Sequence, residues 1–328
     1  MKNIFKKLFV SIMVVMFLLI LINFVFAGQE SSKYLSIGGC GTGGMSYAYG
    51  AAVASIASKN TDLNFTCEAT GCSVENMRLL LDGKTEITAM MNDVWRDAYL
   101  GLGDYDENRN LRGLHVMYPQ IWYLITPADS DIMSYEDIKG KRVSVGSPGS
   151  GTEFKARRVL KSMGITYDDF RVEYLSNVEM ISGLRDGILD AAFFTLPYES
   201  AAILELDATM DIRIIGLEED DIVKITTEYS EYIKAVIPKG SLKAAKSDIP
   251  TLALWASMIT TSDLPEDVAY KYVKAIMENL DSLSAIHPGG KYTTPESTIE
   301  SFISPLHPGA IKYYEEIGLT VPTSAVPK

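Results

Sequence analysis

Two glycine-rich turns carry the most usable chemistry in this chain. The first, Gly39-Cys40-Gly41-Thr42-Gly43-Gly44, follows an apolar strand (Tyr34–Gly38) and precedes a run of Ala, Val and Ile at helical spacing from Ser46 to Lys59. It fits GxGxxG, and such a turn bares backbone N–H groups at a helix N-terminus, a generic cradle for an anion. The second, Gly146-Ser147-Pro148-Gly149-Ser150-Gly151-Thr152, adds hydroxyl donors at Ser147, Ser150 and Thr152 but lacks the lysine of a nucleotide P-loop. Ser150-Gly151-Thr152-Glu153 also reads as a capping box, a purely structural device that leaves neighbouring amides free. Ser73 opens a further helix with Asn76 one turn in, and Asn92-Asp93 ends an apolar strand, where ligands gather in open α/β sheets. Tyr47, Tyr118 and Phe194 are candidate aromatic walls. Each also reads as core, and Phe194, inside the apolar Ala191–Phe194 run, more so.

The elements that position these groups occur twice. Ser36 aligns with Ser144, Phe65-Thr66-Cys67-Glu68 with Phe170-Arg171-Val172-Glu173, and Asp82-Gly83 with Asp186-Gly187. The shared order predicts two similar α/β lobes whose turns face each other across a cleft. Leu111–Thr126 and Thr251–Thr260 are long β-rich runs and predict two crossings between the lobes. One lobe then comprises residues 28–120 and 253–328, and the other residues 121–252. Residues 217–232 read as an acidic loop, and Leu264–Leu283 as one amphipathic helix with Pro265 in its first turn.

Composition narrows the function. Residues 1–27 carry Lys2, Lys6 and Lys7, an apolar run and small residues up to Ala27, an export signal with an uncleaved anchor as the alternative. Without them, 27 basic residues face 42 acidic ones, a net charge of −15. Such a surface disfavours nucleic acid and anionic membranes. No cofactor is expected, since an exported chain has no NAD or ATP pool. His115, His287 and His307 are scattered, and neither a metal motif nor a paired catalytic base appears. Any two of Cys40, Cys67 and Cys72 are able to pair in an oxidising compartment.

Taken in order, the early glycine loop with Tyr47, Thr70-Gly71-Cys72-Ser73-Val74-Glu75-Asn76, Asn92-Asp93-Val94, Tyr118-Pro119, Gly140–Thr152, Asp186-Gly187 and Pro305-Leu306-His307-Pro308-Gly309-Ala310 resemble the TAXI family of TRAP-transporter solute receptors. The resemblance implies a two-lobed type II periplasmic binding protein, each lobe a mixed sheet flanked by helices, hinged on two crossing strands. It implies a monomer, not an enzyme, that captures a small organic anion (glutamate, glutamine or a dicarboxylate) in the periplasm and delivers it to a TRAP permease. Carried over by position, ligand contacts fall on Thr42, Gly43, Gly44, Ser46, Tyr47, Ser73, Asn76, Asn92, Asp93, Tyr118, Ser147, Ser150, Gly151, Thr152 and Phe194. The chain departs from the family pattern at Met45-Ser46, Cys40, Cys72, Asn92, Gln120 and Thr195-Leu196-Pro197. Two rivals remain: a sensor for a membrane receptor kinase, and an exported hydrolase built on a loop serine.

Overall fold

The structure is a computed structural model that describes residues 34–198 and 200–327. The leader expected at residues 1–27 lies outside them. Among the described residues no helix is long and apolar enough to cross a membrane.

The repeat is realised as topology. The first pass runs β1 (Tyr34–Gly38), α1 (Met45–Asn60), β2 (Asn64–Glu68), α2 (Ser73–Leu81) and β3 (Ile87–Met91). The chain continues through α3 (Asn92–Leu100) into β4 (Leu111–Pro127). The second pass runs β5 (Arg142–Ser144), α4 (Gly151–Ser162), β6 (Arg171–Glu173), α5 (Asn177–Arg185) and β7 (Ala191–Leu196). Then come α6 (Ala201–Thr209), β8 (Ile212–Ile215), α7 (Glu219–Glu228), β9 (Ile233–Ile237) and β10 (Ile249–Thr261). The C-terminal helices are α8 (Glu266–Met277), α9 (Leu280–Ile286), α10 (Pro295–Ser301) and α11 (Pro308–Glu316). In space the strands run β2-β1-β3-β10-β4-β7-β5-β6, with β8 on β4 and β9 on β10. Each pass therefore puts its first strand in the middle, its second outside and its third inside. That placement sets both glycine turns at the carboxyl ends of central parallel strands.

The strands β4 and β10 join the two halves. The stretch Ala256–Ile259 of β10 pairs with β3, while Ile249–Ala253 pairs with β9. On β4, Ile121–Ile125 pairs with β7 and Leu124–Pro127 with β8. The two strands pair with each other over Leu111–Ile121 of β4 and Ala253–Thr261 of β10, with register shifts between Trp255 and Ser257 and between Met258 and Ile259.

Two expectations are corrected. The acidic stretch is not a loop: Glu219, Asp220 and Asp221 form the first turn of α7, where carboxylates oppose the helix dipole, and Ile222 and Ile225 bury its inner face. The single C-terminal helix is two, α8 and α9, separated at Glu278 and Asn279.

One core group makes stability pH-dependent. His115 is buried under the first lobe's helices. Its Nδ1–H donates to the Val116 carbonyl (3.0 Å), which leaves Nε2 to accept from the Tyr272 hydroxyl (3.2 Å). Burial lowers its pKa from 6.5 to about 4. The folded state thus refuses a proton that the unfolded chain accepts. Stability from this group is full above 6.5 and is lost as pH falls toward about 4, a loss of about 3 kcal/mol. Urea melts across that range should show this slope in the wild type and a shallower one in His115→Gln.

Candidate functional site

Both glycine turns line one cavity of about 330 Å³, within the size range of small-molecule pockets. The first contributes Cys40 to Ser46, and the second Gly146, Ser147, Ser150, Gly151 and Thr152. Thr70, Gly71 and Cys72 enter from the start of α2, Ser176, Asn177 and Val178 from the start of α5, and Thr195, Leu196 and Pro197 from the end of β7. Met91, Tyr118 and Gln120 complete the walls.

The two sides meet closely. The Val74 amide in the first turn of α2 donates to the Gly149 carbonyl of the second loop (3.1 Å). A Cβ on Gly151 would stand 2.4 Å from the Met91 sulfur and 3.0 Å from the Ser73 hydroxyl oxygen, so a larger residue at this approach of α4 to the end of β3 would force the Met91 side chain to move. A Cβ on Gly43 would touch Val178 at 3.7 Å.

The helix starts supply donors. At α4, Ser150 Oγ accepts from the Glu153 amide (3.2 Å). Only half of the expected capping box forms, because the Glu153 carboxylate accepts from the Tyr167 hydroxyl instead (3.2 Å). The complete box occurs at α5, where Ser176 Oγ accepts from the Glu179 amide and the Glu179 carboxylate accepts from the Ser176 amide and hydroxyl. Among the described residues the amides of Gly151, Thr152, Asn177 and Val178 find no protein acceptor. Such N-terminal amides carry the positive end of the helix dipole. No lysine, arginine, histidine, aspartate or glutamate lines the cavity among the described residues.

Nine of the fifteen residues proposed from sequence line this cavity: Thr42, Gly43, Gly44, Ser46, Tyr118, Ser147, Ser150, Gly151 and Thr152. The hydroxyls of Ser46 and Tyr118 are joined across it at 3.1 Å. The other six stand behind its walls. Tyr47 is half-buried, with its carbonyl accepting from the Cys67 thiol (3.7 Å). Ser73 Oγ accepts from the Met91 amide (3.1 Å), fixing the end of β3. The Asn76 amide donates to the Gly38, Gly39 and Ala89 carbonyls. Asn92 and Asp93 do not close a strand; they open α3. Asn92 donates to the Ser301 carbonyl and accepts from Ser257 (2.7 Å), and Asp93 accepts from the Tyr232 hydroxyl (2.8 Å). Burial raises the Asp93 pKa, against the pull of Arg158 and Lys155. Phe194 is fully buried in a core of Ile121, Tyr123 and Ile125.

Sequence reasoning marked Gln120 and Thr195 as departures from the family pattern without proposing them as contacts, and passed over Ser176–Val178. The last had a readable signal, since Ser176-Asn177-Val178-Glu179 is a capping pattern. The cysteine alternatives resolve to Cys40–Cys72, with Cys67 free. Cys67 fills the gap between Gly39 and Gly50, and burial raises its thiol pKa to about 11. Of the histidines, His287 accepts from the Gly289 amide, and His307 bonds the Leu264 carbonyl and the Gly309 amide. None reaches a loop serine. No cluster able to hold a metal occurs among the described residues.

Two α/β lobes on a pair of crossing strands, with a cavity at the carboxyl ends of their central strands, define the two-lobed periplasmic binding protein fold. The chain belongs to the NMT1-like family, which matches residues 37–318. It is similar in structure to PhnD1 from Prochlorococcus marinus, solved in complex with methylphosphonate: TM-score 0.55, 12% identity, covering 80% of this chain and 91% of that one. A Xanthomonas citri protein bound to ATP gives TM-score 0.52 and 11% identity over 87% of this chain and 96% of that one. The periplasmic aliphatic sulphonate binding protein SsuA from Escherichia coli shares 17% identity over 87% of this chain and 84% of that one, with TM-score 0.44.

Proposed function

We propose that this chain is an exported receptor that captures a small organic anion between its lobes and hands it to a membrane permease of the TRAP class. The observation that carries the reading is the cavity itself. Glycine turns and helix starts from both repeats surround about 330 Å³ without one charged side chain among the described residues. An anion there is held by oriented amides and hydroxyls in place of water. Contacts from both sides favour the closed arrangement through their differential affinity. The lobes are residues 28–120 with 253–328, and residues 121–252, and the permease reads the closed pair. The TRAP assignment rests on the ordered motifs of the sequence.

Calorimetry and thermal shift against carboxylates, sulfonates and phosphonates test the reading. At least one such anion should raise the melting temperature. A panel in which only cations or neutral sugars stabilise the protein would defeat it. Ser147 is the cleanest probe, because its side chain makes no hydrogen bond to a described residue. Ser147→Ala should weaken binding about tenfold, the worth of one charge-assisted hydrogen bond, and leave the melting temperature of the free protein unchanged.

A further inference from the structure

Two side chains in the cavity have no employment in the protein. Thr195 on β7 is 2% exposed, and its hydroxyl has no hydrogen-bond partner. Gln120 on β4 is 4% exposed, and no described residue engages its amide. Buried polar groups are ordinarily paired, so an orphan in a cavity wall points to something absent from the protein alone. The two belong to one surface. Trp122 pairs with Thr195 across the sheet, and Gln120 is two residues from Trp122 on the same strand, so both project to the same face.

The electrostatics set what they meet. The starts of α1, α2, α4 and α5 all reach the cavity, and each helix brings the positive end of its dipole. No described carboxylate lines the cavity to answer them. The three acids on the adjoining first turns are committed: Glu75 accepts from the Gly71 amide, Glu153 from the Tyr167 hydroxyl, and Glu179 from Ser176. An ammonium entering here would be desolvated among positive dipoles with no counter-charge. A carboxylate meets the opposite situation.

Building on the anion-receptor reading, we infer that the ligand is an amine-free oxo- or hydroxy-carboxylate. Its carboxylate sits on the main-chain amides, and its uncharged oxygen group bonds Gln120 and Thr195. Both side chains offer a donor as well as an acceptor, so they suit a carbonyl or a hydroxyl. An α-amino acid of the same skeleton is refused because its ammonium has no partner.

The test is calorimetry on the full chain with matched pairs that differ only at the α-carbon: 2-oxoglutarate against L-glutamate, 2-oxoisocaproate against L-leucine, and pyruvate against L-alanine. In the pair whose skeleton fits, the oxo acid should bind at least about tenfold tighter. Thr195→Val, nearly isosteric, should weaken the oxo acid by about tenfold while raising the melting temperature of the free protein, since it removes an unpaired buried hydroxyl. Gln120→Glu should narrow the gap by supplying the missing negative charge. An amino acid that binds as tightly as its oxo partner overturns this inference and leaves the anion receptor standing. If no anion binds at all, both fall. Unchanged oxo-acid affinity in Thr195→Val, with the fold verified by circular dichroism, removes that residue's role.

Discussion

Arg158→Met is expected to destabilise the protein by about 3–5 kcal/mol, the cost of breaking a buried ion pair by removing one partner. Arg158, on α4, has a side chain only 13% exposed. Its Nη2 reaches both Asp97 oxygens at 2.6 Å, and its Nη1 reaches Glu231 at 2.8 Å. The guanidinium also lies 4.3 Å from the Tyr229 ring centroid and 4.8 Å from that of Phe154. Burial opposes its charge, but Tyr232, Asp93, Asp97 and Glu231 outweigh that and raise its pKa. Without it, Arg96 supplies the remaining direct ion pairs of the two buried carboxylates among the described residues, at 3.7 Å from Asp97 and 3.4 Å from Glu231. Burial already raises the pKa of both acids, and losing Arg158 raises them further. A carboxylate whose folded pKa exceeds its unfolded value loses stability as pH rises. The defect should therefore be largest at neutral pH and shrink in mild acid. Urea melts at both conditions check this, and adding Glu231→Gln should restore part of the loss. A uniform deficit at every pH would mean that the packing on Tyr229 and Phe154 is what Arg158 supplies.

Opening the Cys40–Cys72 bond should cost about 3–4 kcal/mol, as expected for a cross-link over a sequence separation of 32 residues. The bond ties the first glycine turn to the start of α2, and both cysteines line the cavity. The backbone at Cys72 is unusual. Its φ of 81° and ψ of −153° belong to a region that glycine alone enters freely, at a cost of about 1–3 kcal/mol for other residues. Removing the cross-link therefore also frees a residue that has reason to move. In a Cys40→Ser background, Cys72→Gly should recover about 1–3 kcal/mol relative to Cys72→Ser, because glycine holds that conformation without a Cβ penalty. Thermal melts of the wild type with and without reductant, beside the two double variants, measure both effects. Ligand affinity should fall on reduction, since two walls of the cavity lose their common anchor.

The sequence displayed the scaffold more openly than the lining of the site. The repeat was legible because glycine turns, β-rich strands and helix stops are local signals, and the pairing β2-β1-β3 beside β6-β5-β7 follows from them. The two crossing strands were visible as runs too long for one lobe. Acidity misled at residues 217–232, where Glu219, Asp220 and Asp221 looked like solvated loop but serve as the favourable first turn of α7. Polarity misled at Ser73, Asn76, Asn92 and Asp93. Each lies beside the cavity in the chain, yet each already bonds backbone or core partners, such as the three carbonyls served by Nδ2 of Asn76, whose Oδ1 keeps no partner among the described residues. Whether a polar residue is spent or free depends on neighbours distant in sequence, and no local pattern records that. Thr195 and Gln120 illustrate the converse: the sequence marks them as departures from the family pattern, but only the sheet shows that no described residue answers them.

The continuity of β4 and β10 through both halves has a mechanical consequence. Where they are bonded side by side, from Leu111 to Ile121 and Ala253 to Thr261, the strands resist sliding, because a slip of one residue would exchange the faces of every side chain. They tolerate added twist far more readily. On the receptor reading proposed above, a mouth mounted on such a ribbon would open as a torsion spring does, through a bounded angle and with a restoring force. Bulky solutes would then be excluded by aperture before any chemistry is consulted, and the stiffness of two strands would help decide how quickly cargo is released.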